Sequence, residues 1–221
     1  MQYISKDELD FLWKTVDNNF KFGISIEPGD CIIDIGANIG VFACRCNELT
    51  HGKLDIHCFE PIKTLYDICK NNVDFGKVMN KGISSKEKTV TFTDYPNYTL
   101  LDNGDSEIIM KNSTDISEEF LEKQVRGTNY DCKYIPLSKY LDDKHINEID
   151  LLKVGIDEYE VLSGIKNKHW DIIKQIIIEV SVNGPVEKIK KTLESKNYNI
   201  NIEFDGYIYV LFCKKNQICT E

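Results

Sequence analysis

The sequence predicts an α/β fold: a mostly parallel, seven-stranded sheet with helices on both faces and an antiparallel hairpin at its C-terminal end. Three observations predict it. Short apolar runs recur along the chain, as in CIIDI at 31–35 and QIIIEV at 175–180, and segments with helical spacing separate them. Strands that alternate with helices build a parallel sheet covered on both faces. The first run breaks into Gly-Ala-Asn-Ile-Gly at 36–40, a sharp turn into a helix. The last two runs, Tyr198–Phe204 and Tyr207–Phe212, flank Asp205-Gly206, a dipeptide that favours a hairpin.

Each element follows from local pattern. Ser5-Lys6-Asp7-Glu8 has the form of a capping box, and Leu9, Leu12, Trp13 and Val16 follow at helical spacing. Residues 1–23 are therefore expected to be a helical extension, and residues 24–221 the main domain. Glu27-Pro28-Gly29-Asp30 turns into the first strand, Cys31–Ile35, and a helix is expected from Ile39 to Leu49. Leu54–Phe59 is the second strand, ended by Glu60-Pro61. Leu65, Ile68, Cys69 and Val73 mark one face of a second helix. Lys77–Ile83 reads as a third strand, and Thr89–Thr93 alternates like a further one.

From 94 to 131 the pattern loosens into polar, turn-rich sequence, with a short helix expected over Glu118–Val125. A long irregular insert in a compact domain reads as a cover over a site or as a decorated edge. Regularity returns with strand Ile149–Ile156, helix Glu158–Ile165 and strand Gln175–Val180. Gly184-Pro185 opens a helix with Val186, Ile189 and Leu193 on one face, proline suiting the first helical position.

The chain has 221 residues and a net charge of -9, so a broad nucleic-acid surface is a poor expectation. Eight cysteines include no C-x-x-C pair, and no metal site is expected. Cys31, Cys58 and Cys69 read as small core residues. No signal-peptide core and no membrane-length apolar run is present. A cytoplasmic protein with reduced thiols, away from membranes, is the expectation.

The turn after the first strand carries the functional signal. In open α/β sheets ligands sit at the carboxyl ends of strands, where strand order reverses. Gly36 permits a positive φ and close backbone approach, Gly40 permits tight helix packing, and Asn38 suits a cap or a tight turn. Counted from Gly36, the dinucleotide fingerprint requires glycine where Asn38 and Val41 stand. Asp34 would repel a pyrophosphate but suits a cationic cofactor, and S-adenosylmethionine carries an ammonium and a sulfonium. Glu60, just past the second strand, stands where an acid accepts hydrogen bonds from ribose hydroxyls.

With these residues placed, the chain resembles the FkbM family of S-adenosylmethionine-dependent methyltransferases, which implies a Rossmann-like fold. IIDIGANIGVFA is close to the family's first motif, and HCFEPIKTLYDICKNN is similar to its second block. NKGISSKEKTVTF resembles the third-strand block, IDLLKVGIDEYEVLSGI the late block and IIIEV the strand after it. The resemblance spans roughly residues 24–182. It implies that S-adenosylmethionine is the cofactor, with its methionine part near Gly36, Ala37 and Asn38. Glu60 then binds the ribose, and Asn80, Gly82 and Ile83 lie near the adenine. Asp34, Gly40 and Pro61 complete the cofactor-binding set. The acceptor class implied is a small molecule, sugar or natural product methylated mostly on oxygen.

One departure stands in the late block, which in the family reads Lys-Ile-Asp-Val-Glu-Gly-Tyr-Glu. Here Gly155 replaces its aspartate, and Asp157 and Glu158 fall on its glutamate and glycine. Candidates for catalysis at strand ends are Lys153, Asp157, Glu158 and Glu179. Lys153 acts as a base only with a lowered pKa; otherwise it orients or stabilises an oxyanion. The loss at Gly155 keeps an amine acceptor open beside a hydroxyl. It also keeps open a catalytically inactive cofactor-binding or partner-recruiting module. A nicotinamide-dependent oxidoreductase is disfavoured by Asn38 and Val41. His57 reads as structural, and the leading helix as a cover over the site or a homodimer interface.

Overall fold

The computed structural model describes residues 13–14, 16–95, 98–101, 108–110, 128–155, 158–204, 206 and 208–216. Beyond the helical residues 13–14 and 16–17, the described residues form, in chain order, β1 (Cys31–Ile35), α1 (Val41–Leu49), β2 (Asp55–Phe59), α2 (Lys63–Asn72), β3 (Lys77–Met79), β4 (Gly82–Ile83), β5 (Lys88–Tyr95), β6 (Tyr98–Leu101) and β7 (Ile108–Met110). After them come β8 (Thr128–Ile135), α3 (Leu137–Lys144), β9 (Ile149–Val154), α4 (Glu158–Ser163), α5 (Asn167–Trp170), β10 (Ile173–Ser181), α6 (Val186–Ser195), β11 (Tyr198–Phe204) and β12 (Ile208–Lys215). Among the described residues no helix is long and apolar enough to cross a membrane.

Seven strands form the main sheet in the order β11-β12-β10-β9-β1-β2-β3. From β3 to β10 every neighbour is parallel, and β12 pairs antiparallel with both β10 and β11. The chain leaves β1 toward β2 on one side and returns to β9 on the other. Strand order therefore reverses between β1 and β9, and their carboxyl ends open a crevice.

Strand alternation sorts the core onto two faces. Ile33, Ile35, Leu152, Val154, Ile176 and Ile178 pack with α3, α4 and α6 on one face. Ile32, Leu151, Ile177 and Phe212 pack with α1, α2 and the segment around Val16 and Ile24 on the other. Asp34, two residues after Ile32, falls on that second face. So do its parallel register partner Lys153 and, two residues beyond Ile177, Glu179.

Several expectations change. The stretch Lys77–Ile83 divides: β3 ends the main sheet, and β4 joins a second sheet in the order β4-β8-β5-β6-β7. The region read as irregular between 94 and 131 contains β6, β7 and the ends of β5 and β8, all antiparallel neighbours. β6 and β7 are runs of four and three residues set in polar, turn-rich sequence, too short to state a period. β8 and α3 also lay outside the expected elements, although Tyr130, Cys132 and Tyr134 alternate with Asp131 and Lys133 in β8. Pro185 stands just before α6, at its N-cap, rather than inside it. The capping box at 5–8, Leu9 and Leu12, the helix expected over Glu118–Val125, and Asp205 of the hairpin turn lie outside the described residues. Trp13, Lys14, Val16 and Asp17 are helical.

Gly82 shows how the second sheet closes onto the first. It pairs with Tyr134, and a Cβ placed on it would lie 2.1 Å from the tyrosine ring. Gly82→Ala must push that buried ring aside, an overpacking that typically costs about 1–3 kcal/mol. Urea unfolding should show the midpoint fall by that amount at unchanged slope; an unchanged midpoint would mean the ring moves freely.

Candidate active site

The turn after β1 is built by backbone. Gly36 and Ala37 both donate their N–H to the Phe59 carbonyl at 3.0 Å, binding the turn to the end of β2. Gly36, Asn38 and Gly40 have φ of 78°, 51° and 87°. Gly40 is required twice over: its φ suits glycine, and a Cβ there would lie 2.6 Å from a Val73 methyl. Asn38 does not cap α1. The position before that helix is Gly40, with no side-chain cap, and Asn38 instead takes the left-handed step of the turn.

Glu60 is almost fully buried, not a solvated strand-end charge. Its Oε2 accepts the Asn38 N–H and its Oε1 the Ile62 N–H, each at 2.8 Å. One carboxylate thus holds both the glycine turn and the entry to α2. A carboxylate has about four acceptor positions, so two remain beyond these bonds. Asn80 donates its amide to the carbonyls of Glu60 at 3.0 Å and Pro61 at 2.9 Å, fixing the chain behind the carboxylate. Gly82 and Ile83 are buried in β4, Gly82 beneath the Tyr134 ring and Ile83 in the core with Phe59.

Three strand ends bring Asp34, Lys153 and Glu179 together. Lys153 Nζ stands 3.8 Å from Asp34 Oδ1 and 3.6 Å from Glu179 Oε2. Asp34 is wholly buried, and neither of its oxygens has a hydrogen-bond partner among the described residues. Asn38 Oδ1 is likewise buried without a partner. Glu179 is the more open of the two carboxylates facing Lys153, with 20% of its side chain exposed.

Burial sets the electrostatics. It pushes Asp34 up to about 6, against the pull of Lys153. Burial pushes Glu60 up to about 7, against its two backbone hydrogen bonds. For Lys153 burial acts downward, but Glu179, Asp34 and Glu60 together outweigh it and hold the ammonium above the ordinary lysine value. The directions agree physically: one lysine is shared among three acids, whereas Asp34 has a single distant cation. That direction favours the cationic roles expected for Lys153 over that of a base.

Gly155 explains the altered late block in part. A Cβ on it would lie 2.5 Å from Lys153 Nζ and 3.2 Å from Glu179 Oε2. The ion pair occupies the space into which an aspartate at 155 would project. Asp157 lies outside the described residues, and only the backbone of Glu158 is described. Sequence reasoning did not single out Glu160. Its carboxylate accepts hydrogen bonds from Ser84 at 3.0 Å and Ser85 at 3.1 Å, tying α4 to the turn after β4. The coincidence of two family-like blocks, each with unexplained polar residues, was the available signal.

At the opposite edge of the sheet, Cys31, Asp55 and His57 offer ligand atoms within 4.8 Å of one another. Spacing alone did not group them. Lys77 Nζ stands 2.6 Å from Asp55 and 3.2 Å from His57 Nε2, so an ammonium already serves that carboxylate. His57 Nδ1 meets the Tyr140 hydroxyl at 2.7 Å, in keeping with a structural histidine.

A reversed-order parallel sheet, an antiparallel β12 beside β10, and an acidic cup at the switch point define a Rossmann-like S-adenosylmethionine-dependent methyltransferase. A family model described as the methyltransferase FkbM domain matches residues 34–200, and the chain belongs to that family. It is 28% identical to methyltransferase sdnD of Sordaria araneosa, over 89% of this chain and 85% of that one. It is 23% identical to the 31-O-demethyl-FK506 methyltransferase FkbM of Streptomyces tacrolimicus, over 92% of this chain and 86% of that one. Among solved structures, a precorrin-6y C5,15-methyltransferase from Geobacter metallireducens superposes with a TM-score of 0.54. It is 10% identical and covers 97% of this chain and 95% of its own, a likeness of fold.

The raised carboxyl groups fix a pH dependence. A pKa above its unfolded value means that the folded state binds more protons, so stability is greatest below the unfolded pKa and falls as pH rises through the folded one. Between about pH 4 and 7, Asp34 and Glu60 should progressively destabilise the ligand-free protein. Asp34→Asn should remove its share, gaining up to about 3 kcal/mol at pH 8 relative to wild type. Denaturant unfolding of both proteins at pH 5 and pH 8 tests the sign; equal differences at the two pH values would exclude a buried, raised Asp34.

Proposed function

We propose that the chain transfers a methyl group from S-adenosylmethionine to a hydroxyl of a small natural product or sugar. The single observation that carries this reading is the Lys153–Glu179 pair filling the space left by Gly155 beside the glycine turn. The name of the Streptomyces relative, a methyltransferase of an O-demethyl compound, supports oxygen as the acceptor atom.

The residues present suit the cofactor. Asp34 and Asn38 offer buried oxygens without hydrogen-bond partners among the described residues, and an ammonium or sulfonium is what such oxygens favour. Gly36 and Ala37 would let the backbone approach the methionine end, Gly40 keeps α1 against the turn, and Glu60 has acceptor capacity left for ribose hydroxyls. Asn80 and Pro61 would hold Glu60 in place, with Gly82 and Ile83 forming the floor toward the adenine. When bound, S-adenosylmethionine supplies an electrophilic methyl group on a sulfonium.

Glu179 would take the hydroxyl proton onto its carboxylate, which is partly exposed and stands at the sheet's carboxyl edge. Lys153, kept as an ammonium, would stabilise negative charge that develops on the acceptor oxygen. The same cation holds Glu179 in place. Alignment of the two reactants supplies the rest, worth roughly 7–11 kcal/mol in favourable cases.

Calorimetric titration with S-adenosylmethionine and S-adenosylhomocysteine tests the cofactor site. Glu60→Ala should weaken both by about tenfold or more, a loss of roughly 1.4 kcal/mol or more. Absence of binding by folded wild type would overturn the reading in favour of a partner-recruiting module. Glu179→Gln should keep cofactor affinity and lower the rate of S-adenosylhomocysteine formation about 100- to 10,000-fold with a hydroxyl acceptor. A rate unchanged in Glu179→Gln would remove Glu179 from the chemistry.

A further inference from the structure

The amino ends of β1, β2 and β3 gather a second polar cluster, away from the strand ends that carry the glycine turn and Glu60. Register builds it. Cys31 pairs with Asp55 and Ile33 with His57 across β1 and β2, and His57 pairs with Lys77 across β2 and β3. Register partners project from one face, as do residues two apart on a strand. The thiol, the carboxylate, the imidazole and the ammonium therefore share the face of Ile33. One ligand atom each of Cys31, Asp55 and His57 lies within 4.8 Å of the other two.

The surroundings decide what the cluster can hold. His57 is buried, and its Nδ1 meets the Tyr140 hydroxyl at 2.7 Å. That hydroxyl donates to Met79 Sδ at 3.6 Å, so its oxygen can accept the proton on Nδ1. The Nε2 lone pair then faces the cluster, 3.2 Å from Asp55 Oδ1. Two acceptors so close repel unless one cation serves both. Lys77 Nζ is such a cation, 2.6 Å from Asp55 and 3.2 Å from Nε2. Lys77 stands on the edge strand with its side chain half exposed, so the ammonium can swing out into water. Behind the thiol, Asp150 accepts the Cys31 N–H at 2.8 Å and pairs with Lys174 at 2.7 Å. It fixes the Cys31 backbone and has its own counter-charge.

Thiol, imidazole and carboxylate together are a donor set for zinc, whereas calcium and magnesium take oxygen ligands. Tetrahedral zinc, with bonds of about 2.0–2.3 Å, sets its ligands roughly 3.3–3.8 Å apart. Asp55 and His57 already stand near that spacing, and the half-exposed Asp55 can turn toward the thiol. We infer that Cys31, Asp55 and His57 form a zinc site at the amino ends of β1 and β2, and that Lys77 is the cation zinc displaces. Zinc gains bonds to Cys31 Sγ, His57 Nε2 and an Asp55 oxygen, with a fourth position left to water. The Cys31 proton passes to solvent, and Lys77 leaves with its own proton kept. Burial, with Asp55 and Asp150, pushes the Cys31 thiol up to about 11, so the thiolate forms only with the metal in place. The site does not depend on the methyl-transfer reading.

Cobalt(II) and zinc chloride, titrated into the metal-free full chain, test the site. Cobalt should produce a thiolate-to-metal charge-transfer absorption in the near ultraviolet. Zinc should abolish it, and magnesium should not. Cys31→Ser should remove the absorption, and Cys44→Ser, at the other half-buried thiol among the described residues, should keep it. Zinc affinity, read by competition with cobalt, should fall about tenfold or more in Asp55→Asn and in Tyr140→Phe, which loses the acceptor that orients His57. It should rise about threefold or more in Lys77→Gln, where the competing ammonium is gone. Asp55 lies at the surface, so its variant reports even where Cys31→Ser fails to fold. No charge-transfer absorption in wild type at millimolar cobalt overturns the proposal. So does an absorption that survives Cys31→Ser, one that magnesium abolishes, or zinc affinity unchanged in Asp55→Asn. Zinc that binds no more tightly to Lys77→Gln overturns it too, since Lys77 would then not hold the place of the metal.

Discussion

Glu60 accepts one backbone N–H from the glycine turn and one from the start of α2. These two bonds, with those from Gly36 and Ala37 to the Phe59 carbonyl, join the ends of β1 and β2 into one rigid cup. Asn80 closes the cup from behind by holding the Glu60 and Pro61 carbonyls. A buried carboxylate with only two partners retains acceptor capacity and a raised pKa, which is how one residue can shape a site and remain available to a ligand.

Charge is arranged around this cup with a single shared cation. Lys153 faces Asp34 and Glu179 directly, and the field of Glu60 adds to theirs. The group is net acidic when its carboxyls are ionised, and desolvation makes that expensive. A cation bound there would relieve the excess. Gly155 belongs to this balance: a fourth carboxylate there would make Lys153 Nζ shift and would add to the repulsion among the acids.

The face of the sheet that bears these charges continues onto the closing hairpin, where Val210 and Phe212 of β12 lie on it. β12, inserted antiparallel between β10 and β11, sets Val210 next to Glu179 and brings the end of β11 to the same edge. Lys21 fastens the segment at 18–21 to β11 through Glu203.

The sequence by itself determined the parallel core, the glycine turn, Glu60 and the family, because these depend on contiguous apolar runs and on residue types that a local turn requires. It also marked Gly155 as a departure. The tertiary structure alone decided what stands beside it: Lys153 and Glu179 lie on different strands and meet only through the β9–β10 register. It decided the second sheet, most of whose strands are too short to state a period, and the turn role of Asn38, whose type suited a cap equally well. Burial settled the remaining charges. No local pattern states that Glu60 is enclosed or that Lys153 faces three acids, since solvent access and the spacing of charges belong to the assembled fold.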